Sequence, residues 1–426
     1  MRRKLFALVD CNNFYASCER AFNAGIQNKP VVVLSNNDGC IVARSAESKK
    51  LGLKMGQPLF TCEKIIREHH VQVFSSNYSL YADISARIMK VLGQFTPTLE
   101  VYSIDEAWLD VIGYEGENLT ELGKTIKERV FQYTGIPVTV AIAPTKCLTK
   151  IAAERAKKDP SYHGVLDITH YDQEALNSLL SQVAIEDVWG IGSKYALFLR
   201  NYGIRNAKAL KEADQRWIRR FLTVVGERIV LELRGTSCIP LETNRVPKKM
   251  IIRAKSFGRE VTELAEVAEA LSTYIARAAE ALREQESVAG TVSVFLHTNV
   301  FNPNIPRYTN AFTIFLPFPT AFTPTLITYG LQALNAIYRT GYRYKKVGVQ
   351  LGKITPNVAQ PDLFGDNTLD ERVREDRLMF LVDALNHIYG RDTLFFAVQG
   401  VQRTWGMRRL HLSQRFTTSW DELLTI

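Results

Sequence analysis

Apolar and polar positions alternate with strand-like and helix-like periods along most of the chain. Leu5–Val9 is an unbroken apolar run that ends at Asp10, the pattern of a strand covered on both faces. Phe14 to Phe22 follows with helical spacing. Residues 30–34 (PVVVL) predict a second strand, and Asn36-Asn37-Asp38-Gly39 is turn chemistry. Small helices and loops are expected to about residue 76, then a helix over 79–94. Residues 99–103 and 107–111 read as a hairpin. A helix over 118–133, a strand over 137–143 and a helix over 146–157 complete an alternating α/β unit. Residues 172–235 predict short helices, with Trp189-Gly190-Ile191-Gly192 between two of them, and 234–247 reads as a linker.

A second patterned region covers 250–352. A strand over 251–258 precedes a helix over about 262–285, where Leu264, Val267, Leu271, Tyr274, Ile275, Ala278 and Leu282 fall on one face. Strands near 290–297 and 311–316, a helix over about 324–338 and a strand over 345–351 finish a β-α-β-β-α-β order, a split βαβ sandwich. Tyr308 to Tyr338 contains no charged residue, but Pro317, Pro319 and Pro324 break it, so it reads as a strand, a turn and a buried helix. Beyond 353 a Pro/Gly/Asp-rich stretch leads to a helix over 370–388 and an Arg-rich, aromatic end.

Charge sharpens this picture. The 426 residues carry a formal net charge of +9, and residues 245–352, with 13 basic and 7 acidic side chains, hold +6 of it. A concentrated basic segment points to a polyanion partner or to a plain solvated surface. Length predicts about three domains. The six cysteines form no C-x-x-C pair, which fits free thiols in a reducing cytosol. Met1-Arg2-Arg3-Lys4 imitates a secretion signal, but five apolar residues fall short of a signal core of ~7–15.

Three acids stand out by position. Asp10 ends a buried strand, and Asp105 and Glu106 sit at the tip of a strand–turn–strand. Successive strand residues face opposite ways, so Asp105 and Glu106 share a site only if the chain bends there. Converging carboxylates in a partly dry cleft either shift their pKa values or bind cations. Hard divalent ions such as Mg²⁺ take oxygen ligands. The competing reading is a set of surface turn and cap carboxylates.

Asp10-Cys11-Asn12-Asn13-Phe14-Tyr15-Ala16-Ser17-Cys18-Glu19, Ser103-Ile104-Asp105-Glu106-Ala107 and Thr139 to Ala156, with Lys146 and Lys150, resemble three motifs of Y-family translesion DNA polymerases. Ser35-Asn36-Asn37-Asp38-Gly39-Cys40 and Ala43-Arg44-Ser45-Ala46-Glu47 narrow the resemblance to the UmuC-type catalytic subunit of bacterial DNA polymerase V and its plasmid-borne relatives. The fold this implies is a multidomain α/β and α+β right hand: a ferredoxin-like palm (1–10 and 78–168), fingers (11–77), a helical thumb (169–240) with a helix-hairpin-helix near 188–194, a split βαβ little finger (248–352) and a tail (353–426).

The resemblance also implies roles. Asp10, Asp105, Glu106 and the backbone carbonyl of Cys11 would hold two Mg²⁺ ions for transfer of a dNTP to a primer 3′-OH, with Asp105 and Glu106 as catalytic carboxylates. Tyr15 matches a steric gate against a 2′-OH, with Phe14 lining the sugar pocket. Lys49 and Lys150, with Arg44 as a further candidate, would grip the triphosphate. Where the family often has an aromatic phosphate contact, this chain has Ala46. Gly190, Gly192 and Lys194 would meet DNA phosphate at a helix N-terminus. Lys248, Lys249, Arg253, Lys255 and Arg259 on the first strand of the split domain, with Arg343, Lys345 and Lys346 before the last, are expected to converge along DNA. Gln360-Pro361-Asp362-Leu363-Phe364 resembles a sliding-clamp peptide, carried by Gln360, Leu363 and Phe364. A processed UmuD-type dimer, a RecA filament and the clamp are implied partners, and a cytoplasmic, nucleoid-associated place in the SOS response is implied with them. The competing functions are an inert DNA- and clamp-binding scaffold and another two-metal enzyme on a palm-like sheet.

Overall fold

The structure, a computed structural model, describes residues 4–114, 116–244, 246–357 and 369–424. The chain divides into two compact units. The first holds Met1–Ser35, Gly39–Arg245 and His411–Ile426; the second holds Asn36–Asp38 and Val246–Leu410.

The first unit is built on a five-stranded sheet. β1 (Phe6–Cys11) lies at its centre. β2 (Val31–Leu34), β3 (Ile41–Arg44) and β4 (Gln72–Ser75) form a separate three-stranded sheet, ordered β3-β2-β4. β5 (Leu99–Val101), β6 (Glu106–Asp110), β7 (Val138–Ala143) and β8 (Val165–Asp167) complete the main sheet in the order β5-β6-β1-β7-β8. β3 and β4 are additions to the sequence reading, which expected loops there. Each is four residues long, too short for alternation to distinguish it from a loop.

All six residues of β1 are buried, as a strand between two helical layers requires. Period 2 divides them. Leu5, Ala7 and Val9 pack with the helices Tyr78–Leu92 and Leu119–Thr134. Phe6 and Leu8 pack, with Trp108 of β6, against the helix Lys146–Lys158 and the helical segment 173–233 beyond it. Gly123 lets the helix Leu119–Thr134 lie close to the sheet: a Cβ there would come 2.6 Å from Val165 Cγ1.

Lys146 is fully buried beside Glu100, where it also donates to the carbonyl of Pro240 at 2.8 Å. Its ammonium stands 4.7 Å from the centre of the Trp108 ring. It is therefore a structural ion at the strand–helix corner that the sequence singled out. The helices Gln173–Ser181, Ser193–Asn201, Ala207–Glu212 and Gln215–Leu233 continue this core.

The second unit carries an all-antiparallel sheet ordered β11-β10-β12-β9. Its strands are β9 (Ile251–Val261), β10 (Ser287–Thr298), β11 (Thr309–Thr320) and β12 (Tyr344–Pro356). β9 and β10 run parallel with β12 between them, the split βαβ arrangement expected from sequence. The helix Leu264–Glu284 buries Val267, Leu271, Tyr274, Ile275, Ala278 and Leu282. β11 continues past Pro317 and Pro319, which the sequence reading took as its end, with an irregular step in its pairing between Phe315 and Thr320. It is an edge strand, where a missing N–H breaks no ladder. The helix Thr323–Ile337 follows. Among the described residues no helix is long and apolar enough to cross a membrane.

Glu100→Ala leaves the Lys146 ammonium buried without its partner. The expected outcome is a loss of about 3 kcal/mol of stability, read from urea unfolding.

Candidate active site

The site grows out of the end of β1. Asn12 and Asn13 turn the chain from strand to helix. Asn13 takes a left-handed backbone (φ 52°), which its short polar side chain tolerates, and the helix Phe14–Ala21 starts behind it. Thr139 Oγ1 donates to Asn12 Oδ1 at 2.8 Å and Ser17 Oγ to the Asn12 carbonyl at 2.6 Å, which fixes the corner.

Asp10 shares parity with Phe6 and Leu8, so it faces the helix Lys146–Lys158. Glu106 is its register partner on β6 and shares parity with Trp108. The two carboxyl groups therefore meet. Lys157 Nζ donates to Asp10 Oδ2 at 2.8 Å, and Lys150 Nζ to Glu106 Oε1 at 2.6 Å. Burial pushes the Asp10 carboxyl well above the usual range, and contact with Glu106 adds to this, against the pull of Lys157. Burial also pushes Glu106 upward, but Asp10 and then Lys150 outweigh it and hold Glu106 below its ordinary value. The two members of the pair are thus pushed in opposite directions, Asp10 toward the neutral acid and Glu106 toward the carboxylate.

The chain does bend between β5 and β6. Tyr102 and Ser103 both donate their N–H to the Glu106 carbonyl, at 3.1 and 3.2 Å. Asp105 sits in that turn. Its carbonyl accepts from Cys11 N–H at 2.8 Å, and its carboxylate accepts from Ser103 Oγ at 2.6 Å. The bend thus puts Asp105 beside β1 while Glu106 faces Asp10.

The all-oxygen donor set of Asp10, Asp105 and Glu106 fits a hard divalent cation, and two acidic side chains meeting at the end of a buried strand mark where positive charge is wanted. Among the described residues, no three carboxylate, imidazole or thiol side chains form a finished metal cage.

Tyr15 is half-buried and its ring is clasped. It stacks on Tyr81 at 4.4 Å and 15°, and meets Tyr78 edge-on at 6.0 Å. Burial raises its hydroxyl pKa, followed by the neighbouring Tyr78 and Asp105, which places the ring near the carboxylates. Phe14, expected to line the sugar pocket, is only 3 % exposed and belongs to the core under the sheet. It supports Tyr15, 5.7 Å away, rather than opening onto a ligand.

Lys49 and Arg44 gather on the same side. Burial, then Arg44 and Lys157, hold the Lys49 ammonium below its ordinary value, with Glu154 and Asp10 opposing them. Arg44 Nη1 donates to the Leu53 carbonyl at 2.5 Å, while its buried Nε has no partner. Arg44, Lys49 and Lys157 form a cationic rim beside the carboxyl pair. Sequence reading missed Lys157. The signal was there: it lies seven residues, two helical turns, beyond Lys150.

Gly190 has φ 89°, and a Cβ on it would lie 2.7 Å from Ile229 Cδ1. Gly192 caps the helix Ser193–Asn201, with open space around it and Lys194 exposed.

In the second unit the basic residues on β9 and β12 are divided between the two faces of the sheet. β9 and β12 are indeed neighbours, but Arg253 and Lys255 pair with Val349 and Val347, which face the helices. Lys346 pairs with Ser256 on the opposite face, above Phe295. Arg259 is bound to Glu266 at 2.5 Å and Arg343 to Glu260 at 3.4 Å, while Lys345 donates to the Phe257 carbonyl at 2.8 Å. Lys248 and Lys249 are exposed on the strand's approach. The two-residue period separates charges that look adjacent in sequence. The peptide at 360–364 lies outside the described residues.

A sheet carrying two carboxylates at its centre, a glycine-bracketed helical hairpin and an antiparallel split βαβ unit define the architecture of Y-family DNA polymerases. A chimera of the Y-family polymerases Dbh and Dpo4 superposes with a TM-score of 0.66, covering 83% of this chain and 100% of that one at 23% identity. An insertion ternary complex of Dbh DNA polymerase matches with a TM-score of 0.54, 22% identity and 83% coverage of this chain.

The family models are more specific. The impB/mucB/samB family matches residues 9–154, its C-terminal domain 248–363, and a domain of unknown function 376–426. The protein UmuC of Salmonella typhimurium is 42% identical over 425 residues, 99% of this chain and 100% of that one. Protein ImpB of Salmonella typhimurium is 40% identical, covering 98% of this chain and 99% of that one. DNA polymerase IV of Moorella thermoacetica is 26% identical, covering 92% and 95%. The chain belongs to the impB/mucB/samB family.

Gly190→Ala combines a disfavoured backbone with the clash against Ile229. The expected outcome is a loss of roughly 1–3 kcal/mol, measured as a lowered melting temperature of the full chain.

Proposed function

We propose that the chain is an error-prone, template-directed DNA polymerase that copies past damaged template. The observation that carries this reading is the Asp10–Glu106 carboxyl pair at the end of the central strand, with Asp105 in the adjoining turn and four cations, Lys150, Lys157, Lys49 and Arg44, around it. Full-length similarity to UmuC, and the DNA polymerase IV relative, support it.

Asp10, Asp105 and Glu106 would hold two Mg²⁺ ions, with the Cys11 carbonyl as a further ligand. Such ions lower the pKa of a primer 3′-OH and neutralise a triphosphate and its leaving group. The rest falls to the protein. Lys49, Arg44 and Lys157 draw a polyanion toward the carboxylates, and Asp10 with Lys150 holds Glu106 below its ordinary value against the push of burial. Holding these groups fixed before substrate arrives is the main source of rate in such a site. Tyr15, clasped by Tyr81 and Tyr78, would be the ring that rejects a 2′-OH.

Gly190, Gly192 and Lys194 offer an exposed helix N-terminus to a DNA phosphate. Lys248, Lys249, Arg253, Lys255, Arg259, Arg343, Lys345 and Lys346 supply a diffuse basic surface, which makes binding salt-dependent. The resemblance adds a UmuD-type processed dimer, a RecA filament and, through Gln360, Leu363 and Phe364, a sliding clamp. On this reading the protein would work in the bacterial cytoplasm, on the nucleoid when active in the SOS response.

Primer extension across an abasic template site tests the reading, with those partners supplied. Extension by wild type and its loss in Asp105→Asn is expected. Extension that survives in Asp105→Asn would contradict it. Tyr15→Ala is expected to keep synthesis and admit ribonucleotides, scored by the ratio of kcat/KM for dNTP and rNTP. Leu363→Ala with Phe364→Ala is expected to lower clamp affinity by at least about tenfold without changing basal extension, as measured by surface plasmon resonance.

A further inference from the structure

Glu19 is 2 % exposed and has no part in the chemistry above. It sits one helical turn beyond Tyr15 on the same helix, Phe14–Ala21. Its Oε1 accepts from Tyr81 Oη at 2.6 Å and from Ser413 Oγ at 3.1 Å. Tyr81 is fully buried and is the ring on which Tyr15 stacks. A continuous series of contacts therefore runs from the C-terminal segment to the sugar gate: Ser413, Glu19, Tyr81, Tyr15.

The same short segment holds both helices that clasp the gate. Asn77 caps the helix Tyr78–Leu92 by accepting from Leu80 N–H. Its amide nitrogen donates to Ser413 Oγ at 3.0 Å and to the carbonyl of Gln414 at 3.1 Å. Phe416 stacks on Phe22, the C-cap residue of the gate helix, at 4.8 Å and 6°. Behind them, the Ser75 N–H donates to the His411 carbonyl at 2.9 Å, and the His411 N–H to Ser75 Oγ at 3.0 Å. Residues 411–416 thus bridge the helix that carries Tyr15 and the helix that carries Tyr81.

We propose that residues 411–416 are a specificity-determining element of the nucleotide site: Ser413, acting through Glu19 and Tyr81, holds the Tyr15 ring in the position that excludes a 2′-OH. This rests on Tyr15 being the sugar gate. An aromatic ring rejects one hydroxyl only if it cannot retreat by a fraction of an ångström. Small displacements of a positioned group carry large effects on rate. Tyr81 closes the retreat from behind, and it is fixed by one strong hydrogen bond to a buried carboxyl group. Burial, against the opposing pull of the bonds from Tyr81 and Ser413, leaves that carboxyl pushed up to about 7. Losing either donor leaves a desolvated oxygen underfilled and frees the Tyr81 ring to shift. Tyr81, Glu19 and Ser413 are positioning residues; none touches the reacting atoms.

The test is single-nucleotide extension by the full chain with a dNTP and the matching rNTP. Ser413→Ala and Tyr81→Phe each remove one hydroxyl and keep the packing. Each is expected to lower the dNTP-over-rNTP ratio of kcat/KM roughly fivefold, the effect of one buried hydrogen bond. Because both act through Glu19, the double variant is expected to lose less than the product of the singles. In a Tyr15→Ala background neither is expected to change the ratio. A purely structural role would lower the melting temperature and leave the ratio unchanged, and that result in Ser413→Ala overturns the proposal. Ser413 is half-buried near the end of the chain, so this variant is informative even where Tyr81→Phe folds poorly. If Tyr15→Ala alone leaves sugar selection intact, the gate assignment itself has failed, and the proposal falls with it.

Discussion

The structure depends on a carboxyl group at the end of a strand that has no exposed face. β1 buries every residue from Phe6 to Cys11, and Asp10 is dragged into the same environment. A carboxylate there cannot remain ionised and alone. It takes a proton, a partner cation or a metal ion, and the surroundings offer a second carboxyl group and a partner cation. Glu106 meets Asp10 in register, Lys157 reaches it from the neighbouring helix, and Lys150 balances Glu106. Helix Lys146–Lys158 is accordingly bonded to the sheet at both ends. Lys146 is tied to buried Glu100 at its first turn, and Lys157 reaches Asp10 at its last.

This explains why the chemistry lies where it does. Strand parity sends Asp10 and Glu106 to one face of the sheet, while Cys11, Phe14 and the Tyr15 helix lie toward the other. Asp105 stands in the turn between them. The carboxylates and the Tyr15 ring are therefore held by two different packed layers. Each layer can be rigid without strain in the other.

Much of this was legible in the sequence. Long periodic elements such as Tyr78–Leu92 and Leu264–Glu284 announced themselves by helical spacing, and Leu5–Val9 by its unbroken apolar run. Asp10, Asp105 and Glu106 stood out by position, but spacing alone left them as turn and cap carboxylates, and it was the motifs around them that set them apart. What escaped was of two kinds. Short strands such as Ile41–Arg44 carry too few positions to show a period. Contacts between distant segments leave no local trace, so Tyr81 and Ser413 looked like ordinary helix and tail residues. The basic residues of β9 misled for a third reason. Sequence shows that Arg253, Lys255 and Lys346 are close to neighbouring strands, but the face each takes depends on register, and register places Lys346 opposite the other two.

The most direct test of the account is divalent-ion binding at the carboxyl pair. Mn²⁺ binding would be measured by electron paramagnetic resonance on the full chain with primer–template and a non-hydrolysable dNTP. Wild type, Asp10→Asn and Glu106→Gln would be compared. Two bound ions in wild type, with one or both lost in each variant, is the predicted result. The same stoichiometry and affinity in all three proteins would contradict it, because the buried pair would then be a structural ion cluster and not the centre of a reaction.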